Sequence, residues 1–280
     1  MIDPLVTTQW LADWLDEPEV QILDATWYMP GQGKTGADSY AEGHIPGAVR
    51  FDIDQIADQS TDLPHMLPSA SDFAVMAGEL GLRRDHIIVV YDAQGLFSAP
   101  RVWWTLRVMG FPEVFVLDGG LRKWLAEGRP VERELRQFPA SHLTSRIQPK
   151  LVRDLAAVSE LVGGAGAQIV DARPAGRFRG ESPEPRAGLR SGHMPGARNL
   201  PWDAVVNPDG AMRSAQELRD LFETAGVDLA APIVTTCGSG ISASLLALAL
   251  ARLSRPDVAV YDGSWTEWGG HPDTPVVSGA

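Results

Sequence analysis

Cysteine is almost absent from this chain of 280 residues, which contains only Cys237. A single cysteine cannot form a disulfide within the chain, and a lone thiol is best kept in a reducing compartment. The sequence also lacks an apolar run long enough to span a bilayer, and it does not start like a signal peptide. We therefore expect a soluble, cytoplasmic protein without a membrane partner.

Positive charge is also scarce, because 24 Lys and Arg stand against 36 Asp and Glu, giving a formal net charge of -12. This excess of negative charge disfavours nucleic acid and anionic membrane surfaces as partners. The histidines show no metal-ligand spacing with one another or with Cys237. We predict neither a metal site nor a cofactor.

What the chain does have is an unusual segment around Cys237, with the sequence TTCGSGIS. A short β-type run starts at Pro232, and small and apolar helix formers follow from Ile241. This pattern predicts a strand-to-helix turn, where loop N–H groups and a helix N-terminus can stabilise an anion. A thiolate there would be a good nucleophile. A buried structural cysteine is the alternative, but it would need no such loop.

The second half of the chain repeats the order of motifs in the first half. The clearest pair is GHIPGA at 43–48 and GHMPGA at 192–197. Strands that alternate with helices predict an α/β fold with two similar domains, each a mostly parallel sheet flanked by helices. We place the first domain at 1–136, a linker at 137–150 and the second domain at 151–280.

The two copies differ at the position of the cysteine. Counted from the shared strand, Asp92 takes the place of Cys237 in the first copy. A carboxylate cannot carry a transferable sulfur atom, so we expect the first domain to be catalytically silent. The active loop should then lie at the carboxyl ends of the strands of the second domain.

Taken together, these motifs make the whole chain resemble the tandem-domain rhodanese family of sulfurtransferases. The loop CGSGIS is similar to the CGSGVT loop of 3-mercaptopyruvate sulfurtransferases, not to the CRKGVT loop of thiosulfate sulfurtransferases. The resemblance implies that Cys237 carries sulfur from 3-mercaptopyruvate as a persulfide and that pyruvate is released. The acceptor would be a thiol such as thioredoxin or glutathione, or cyanide.

The resemblance also points to the residues that bind the donor. Residues 175–186 resemble the GRFRG and EPEPR pattern in which two arginines bind the carboxylate and carbonyl, here Arg177 and Arg186. The planar fork of arginine suits a carboxylate. A solvated loop with internal Arg–Glu pairs is the alternative. The backbone N–H groups expected to hold the sulfur belong to Gly238, Gly240, Ile241 and Ser242.

Loss of sulfur from mercaptopyruvate leaves an enolate, which needs a proton. The resemblance implies a relay of Ser, His and Asp like that of serine proteases, and Ser239 and His44 match it by position. Asp38 is the candidate acid, although Thr35 stands where an acid is expected. Because His193 occupies the equivalent place in the second copy, a structural role is an equally good interpretation of His44.

Other functions stay open at this point. The nearest is a thiosulfate sulfurtransferase with the same fold. A persulfide carrier or a redox-sensing module would use Cys237 without turning over a small molecule. A cysteine-based phosphatase would need an arginine six residues after the cysteine, where this chain has Ala243.

Overall fold

The computed structural model describes residues 3–136, 138–162, 164 and 166–279. Residues 1, 137 and 280, which bound the predicted domains and linker, lie outside these ranges. The chain forms two compact units. Unit 1 comprises the chain up to Ser60, Leu67–Gln148 and Asn207–Met212, whereas unit 2 comprises Thr61–Met66, Pro149–Val206 and the chain from Arg213.

Unit 1 alternates short strands with helices. Its strands are β1 Leu5–Val6, β2 Val20–Asp24, β3 Val49–Arg50, β4 Ile87–Tyr91 and β5 Val114–Leu117. Its helices are α1 Thr8–Asp13, α2 Gly36–Glu42, α3 Ala70–Glu79, α4 Ala99–Val108 and α5 Gly120–Ala126. Thr7 caps the first helix, because its side chain accepts a hydrogen bond from the Trp10 N–H at 3.0 Å.

Unit 2 has the same alternation. Its strands are β6 Val152–Arg153, β7 Gln168–Asp171, β8 Arg198–Asn199, β9 Ile233–Thr236 and β10 Ala259–Tyr261. Its helices are α6 Leu155–Leu161, α7 Ala175–Phe178, α8 Ala215–Thr224, α9 Ile241–Arg252 and α10 Ser264–Trp268. Short 3₁₀ turns cover Pro149–Leu151 and Trp202–Val205.

Each unit is built on one five-stranded sheet. The strand order is β1-β5-β4-β2-β3 in unit 1 and β6-β10-β9-β7-β8 in unit 2, and every pair is parallel. The two orders are identical once each strand is matched to its counterpart. The predicted fold class, two similar α/β domains with parallel sheets, is therefore confirmed.

Both cores are formed by apolar side chains between each sheet and its helices. In unit 1, Ile22 and Val89 from adjacent strands pack with Trp124. In unit 2, Val234 packs with Trp268 in the equivalent helix. Both tryptophans are fully buried, so each belongs to the core of its unit.

Within the described ranges, no helix is both long enough and apolar enough to cross a membrane. The longest helix of the described residues is α9, which starts shortly after Cys237 and is buried along nearly its whole length. Its apolar character reflects a position inside unit 2, where it packs on β9 and β10.

Candidate active site

Cys237 lies in the turn between β9 and α9, where the sequence predicted it. Its side chain is a free thiol, and the residue is only 2% exposed. Gly240 precedes the helix with a φ of +81°, in the left-handed region that glycine adopts without a steric penalty. Glycine at this position therefore allows the chain to turn sharply from the cysteine into α9.

Helix α10 fixes the orientation of the peptide groups in this turn. The Cys237 carbonyl accepts a hydrogen bond from the Trp265 N–H at 2.9 Å. The Gly238 carbonyl accepts from the Thr266 N–H at 2.9 Å and from the Thr266 hydroxyl at 2.6 Å. In a trans peptide the N–H points away from the C=O. Holding these two carbonyls against α10 therefore turns the following two N–H groups to the opposite side.

We call the backbone N–H groups from Gly238 to Ser242 the cysteine cradle. Among the described residues, no protein acceptor receives a hydrogen bond from any of these groups. They combine loop amides with the first turn of α9, and such a cluster favours an anion. The cradle can therefore hold a negatively charged sulfur.

The equivalent loop of unit 1 binds an anion that the chain itself supplies. One carboxylate oxygen of Asp92 accepts hydrogen bonds at 2.8–2.9 Å from three N–H groups, those of Phe97, Ser98 and Ala99. The other oxygen accepts from the Gln94 N–H at 2.8 Å. Burial raises the pKa of Asp92, and these hydrogen bonds offset part of that rise. The first copy thus shows that this type of turn accommodates an anion.

Arg177 belongs to a buried network of charges in unit 2. Glu184 accepts hydrogen bonds from Arg177 through one oxygen, with Nε at 3.1 Å, and from Arg173 Nη1 at 2.8 Å through the other. Arg173 also binds Asp171, the acid that ends β7, with its Nη2 at 2.7 Å. Burial alone would lower the pKa of Arg173, but the two carboxylates reverse this and raise it. The network therefore joins two guanidinium groups and two carboxylates through three ion pairs.

This network places a guanidinium group beside the cysteine loop. Arg177 Nη2 lies 3.2 Å from the point where a Cβ on Gly238 would stand. The side chain of Arg177 is 19% exposed, whereas that of Glu184 is 1% exposed. The predicted alternative, internal Arg–Glu pairing, is thus present, and it fixes Arg177 next to Gly238. Arg186 is half-buried in the same unit.

His44 and His193 occupy equivalent structural positions. The Nδ1 atom of His44 lies 2.8 Å from the Tyr40 carbonyl oxygen, and that of His193 lies 2.8 Å from the Phe178 carbonyl oxygen. Each ring also stacks on the side chain of the same residue at 3.8 Å. Both backbones form antiparallel bridges, and His44 is fully buried in unit 1. These shared contacts favour a structural role for both histidines.

The predicted partners of His44 are placed differently. Asp38 lies on the surface and forms a capping box with Thr35 at the start of α2, and these hydrogen bonds lower its pKa. The carboxylate within ion-pair distance of His44 Nε2 is that of Glu132, at 3.8 Å. Ser239 is part of the turn in unit 2 and is nearly buried. His44 and Asp38 belong to unit 1.

Sequence reasoning missed His65, which the fold makes conspicuous. It is 6% exposed and has a φ of +63°, although it is not glycine. Its segment, Thr61–Met66, belongs to unit 2, the unit with the cysteine loop. A signal was present in the sequence, because His65, unlike His44, has no histidine in the equivalent place of the second copy.

Two separate ranges of the chain, 7–127 and 154–271, match the family model of the rhodanese-like domain. The chain belongs to the rhodanese family. The 3-mercaptopyruvate sulfurtransferase of Escherichia coli strain K12 is 44% identical over 272 residues, which cover 97% of this chain and 96% of that protein. The thiosulfate sulfurtransferase of Cricetulus griseus is 41% identical over 284 residues, covering 98% and 95%.

Solved structures of rhodanese proteins agree with this assignment. The crystal structure of SseA from Escherichia coli, described as a 3-mercaptopyruvate sulfotransferase with the rhodanese fold, is 42% identical and has a TM-score of 0.87. The match covers 94% of this chain and 99% of that chain. The names of these similar proteins include two sulfur donors, 3-mercaptopyruvate and thiosulfate.

Proposed function

We propose that this rhodanese transfers sulfur from 3-mercaptopyruvate, through a persulfide on Cys237, to a thiol or to cyanide. One observation carries the choice of donor. The loop itself brings no cationic side chain, and the cation next to it is Arg177, which is anchored outside the loop by Glu184. A donor whose carboxylate lies away from its sulfur suits that arrangement better than thiosulfate, whose charge surrounds its sulfur.

In the first half-reaction, the Cys237 thiolate attacks the sulfur of mercaptopyruvate. A sulfur–sulfur bond forms, the carbon–sulfur bond of the donor breaks, and its electron pair stays on carbon as the enolate of pyruvate. A proton then converts the enolate to pyruvate. The N–H groups of the cysteine cradle stabilise the negative charge on the outer sulfur, while Arg177 and Arg186 bind the carboxylate and carbonyl of the donor.

In the second half-reaction, an acceptor thiolate or cyanide attacks the outer sulfur of the persulfide. The sulfur–sulfur bond breaks, and its electron pair returns to Cys237 as a thiolate. Thioredoxin and glutathione are suitable thiol acceptors, and both act in reducing surroundings such as the cytoplasm, where a lone reactive thiol persists. Unit 1 carries no sulfur itself, since it has Asp92 in place of the cysteine.

The proton for the enolate needs a donor near the turn. Ser239 and the predicted pair His44 and Asp38 remain one hypothesis, but the buried contacts of His44 give it little access to substrate. His65 is a better candidate, because its imidazole can donate a proton and belongs to unit 2, the unit that contains the cysteine loop.

The repeat gives His65 a position relative to the cysteine loop. Ser69 caps α3 and Ser214 caps α8, and His65 and Gly210 each precede their cap by the same number of residues. In unit 1, a Cβ on Gly210 would lie 3.2 Å from the Cα of Gly95, in the loop of the first copy. By the same relation, we infer that His65 faces the cysteine loop in unit 2.

Mass spectrometry tests the central step. After treatment with mercaptopyruvate and removal of excess donor, the protein should gain the mass of one sulfur atom on the peptide that contains Cys237. The Cys237→Ser variant should show neither this gain nor pyruvate release. Full activity of this variant would refute the mechanism. Persulfide that is accepted from a partner protein without pyruvate release would instead indicate a sulfur carrier.

Initial rates with the two donors test the choice of substrate. With the same acceptor, kcat/KM should be higher for mercaptopyruvate than for thiosulfate. A clear preference for thiosulfate would contradict the assignment of Arg177 and Arg186 to a remote carboxylate. Cyanide, glutathione and reduced thioredoxin should be compared as acceptors in the same series.

A further inference from the structure

Ser264, the first residue of α10, has a backbone conformation that serine rarely adopts. Its φ is +50°, in the left-handed region, and its side chain is fully buried. Non-glycine residues at positive φ are strained unless the surrounding structure compensates. Among the described residues there are two others, His65 and Ser254. Ser254 directly follows the end of α9, where a left-handed residue is a common helix terminator.

The first copy has glycine at the position equivalent to Ser264. Gly120 starts α5 with a φ of +55°, so both copies require the same left-handed turn. A Cβ on Gly120 would lie 2.3 Å from the Asp92 carbonyl oxygen, which excludes any side chain there. The second copy accommodates a serine at this point, although glycine would satisfy the backbone without strain.

The hydroxyl of Ser264 makes two buried hydrogen bonds. It accepts from the Cys237 N–H at 3.3 Å and donates to the Tyr261 carbonyl at 2.8 Å. It thereby joins the residue after β9 to the last residue of β10. A glycine would leave both backbone groups without this partner, and buried backbone groups without a partner are unfavourable.

This serine and the next two residues of α10 each form hydrogen bonds with the backbone of the turn, and we call these three contacts clamps. Ser264 holds the N–H of Cys237, Trp265 holds its carbonyl, and Thr266 holds the carbonyl of Gly238. Unit 1 has the second of these clamps, since the Leu121 N–H donates to the Asp92 carbonyl at 2.9 Å. The serine clamp is the one that acts on the backbone of the nucleophile from its N-terminal side.

We propose that Ser264 is a positioning residue for sulfur transfer: its hydroxyl fixes the backbone of Cys237 and so aims the sulfur at the donor. The strain at this position is retained because the hydroxyl is needed, whereas the silent copy has the unstrained glycine. This role rests on the proposed function of Cys237 as the nucleophile. Ser264 acts on the reaction only through the backbone of Cys237.

The Ser264→Gly and Ser264→Ala variants separate this role from a purely structural one. Glycine removes the backbone strain together with the hydroxyl, whereas alanine removes the hydroxyl and keeps the strain. We expect Tm to be higher for the glycine variant than for the alanine variant. Both should lose kcat by about five- to tenfold, with little change in KM, as expected for one hydrogen bond.

A matched control exists in Ser254→Gly. This change relieves the same type of backbone strain at the far end of α9, a helix about 18 Å long, where the side chain is exposed. It should keep wild-type kcat. If Ser264→Gly also keeps wild-type kcat, or if loss of kcat follows loss of stability across the three variants, Ser264 has only a structural role and the proposal is wrong.

A readout without the donor separates this inference from the proposed function. The rate of alkylation of Cys237 by iodoacetamide, measured against pH, should fall in both Ser264 variants and stay at the wild-type value in Ser254→Gly. If the wild-type protein releases no pyruvate from mercaptopyruvate, the proposed function fails, but the alkylation rates still test Ser264. Equal alkylation profiles in all variants would overturn the positioning role.

Discussion

Replacing Arg177 by lysine is the sharpest test of how the donor is bound. The Arg177 guanidinium directs Nε and Nη2 at one oxygen of Glu184. The remaining N–H groups are available to a donor carboxylate beside Gly238, near which Nη2 lies. A lysine keeps the positive charge but loses the planar fork, so it cannot bind Glu184 and the donor with the same geometry.

The size of the effect follows from the contacts that are lost. A hydrogen bond to a charged group contributes about 1.5–3 kcal/mol. Loss of one such bond to the donor corresponds to a decrease of about 10- to 150-fold in kcat/KM for mercaptopyruvate. Because the charge is retained and the side chain is partly exposed, we expect a much smaller effect on stability.

Arg179→Lys is the control for this experiment. Arg179 lies two residues further on and pairs with Glu181 on the protein surface. This substitution changes the same chemical group by the same amount, but away from the cysteine loop, and it should leave kcat/KM unchanged. Steady-state pyruvate release measures both variants. Wild-type kcat/KM in Arg177→Lys, or equal losses in the two variants, would refute the proposed binding mode.

Three further predictions concern buried polar groups. His44→Gln and His193→Gln should lower Tm by similar amounts and keep kcat, whereas His65→Gln should lower kcat; a loss of kcat confined to His44→Gln would support its predicted catalytic role instead. Glu184→Gln should lower the free energy of unfolding in urea by about 3–5 kcal/mol, because it removes the buried carboxylate that the guanidinium groups of Arg173 and Arg177 share. Asp92→Asn should lower the free energy of unfolding by about 1–3 kcal/mol. Burial raises the pKa of Asp92 in the folded state, so the stability advantage of the wild-type protein over Asp92→Asn should shrink as pH rises from about 4 through that raised pKa. If this advantage instead grows over the same pH range, the reasoning is wrong.

Much of the fold could be predicted from the sequence because it is determined locally and then repeated. Runs such as Ile87–Tyr91 and Ile233–Thr236 consist mostly of β-branched residues and contain no charge, which is typical of strands buried on both faces. Glycines and caps mark the ends of these strands and helices. Because the chain is duplicated, each of these patterns occurs twice in the sequence. The parallel sheets and the turn at Cys237 could therefore be predicted.

The contacts that shape the site could not be predicted in the same way. Glu184 is one of several charged residues in a polar segment, and its sequence does not reveal that its side chain is buried between Arg173 and Arg177. The left-handed conformations of His65 and Ser264 occur at residues other than glycine, so no glycine marks them in the sequence. Such features depend on tertiary structure, and local sequence patterns do not record them.

The two copies also show what it takes to keep an anion site available. A cluster of buried N–H groups is unfavourable without an acceptor, and unit 1 avoids this cost because the carboxylate of Asp92 accepts from four of them. Cys237 supplies no such acceptor to the cysteine cradle, so its turn needs other support. That support comes from α10, whose first residues clamp the turn from its opposite side. Within unit 2, α10 thus holds the backbone of the turn, and the N–H groups of the cradle on the other side remain available for sulfur.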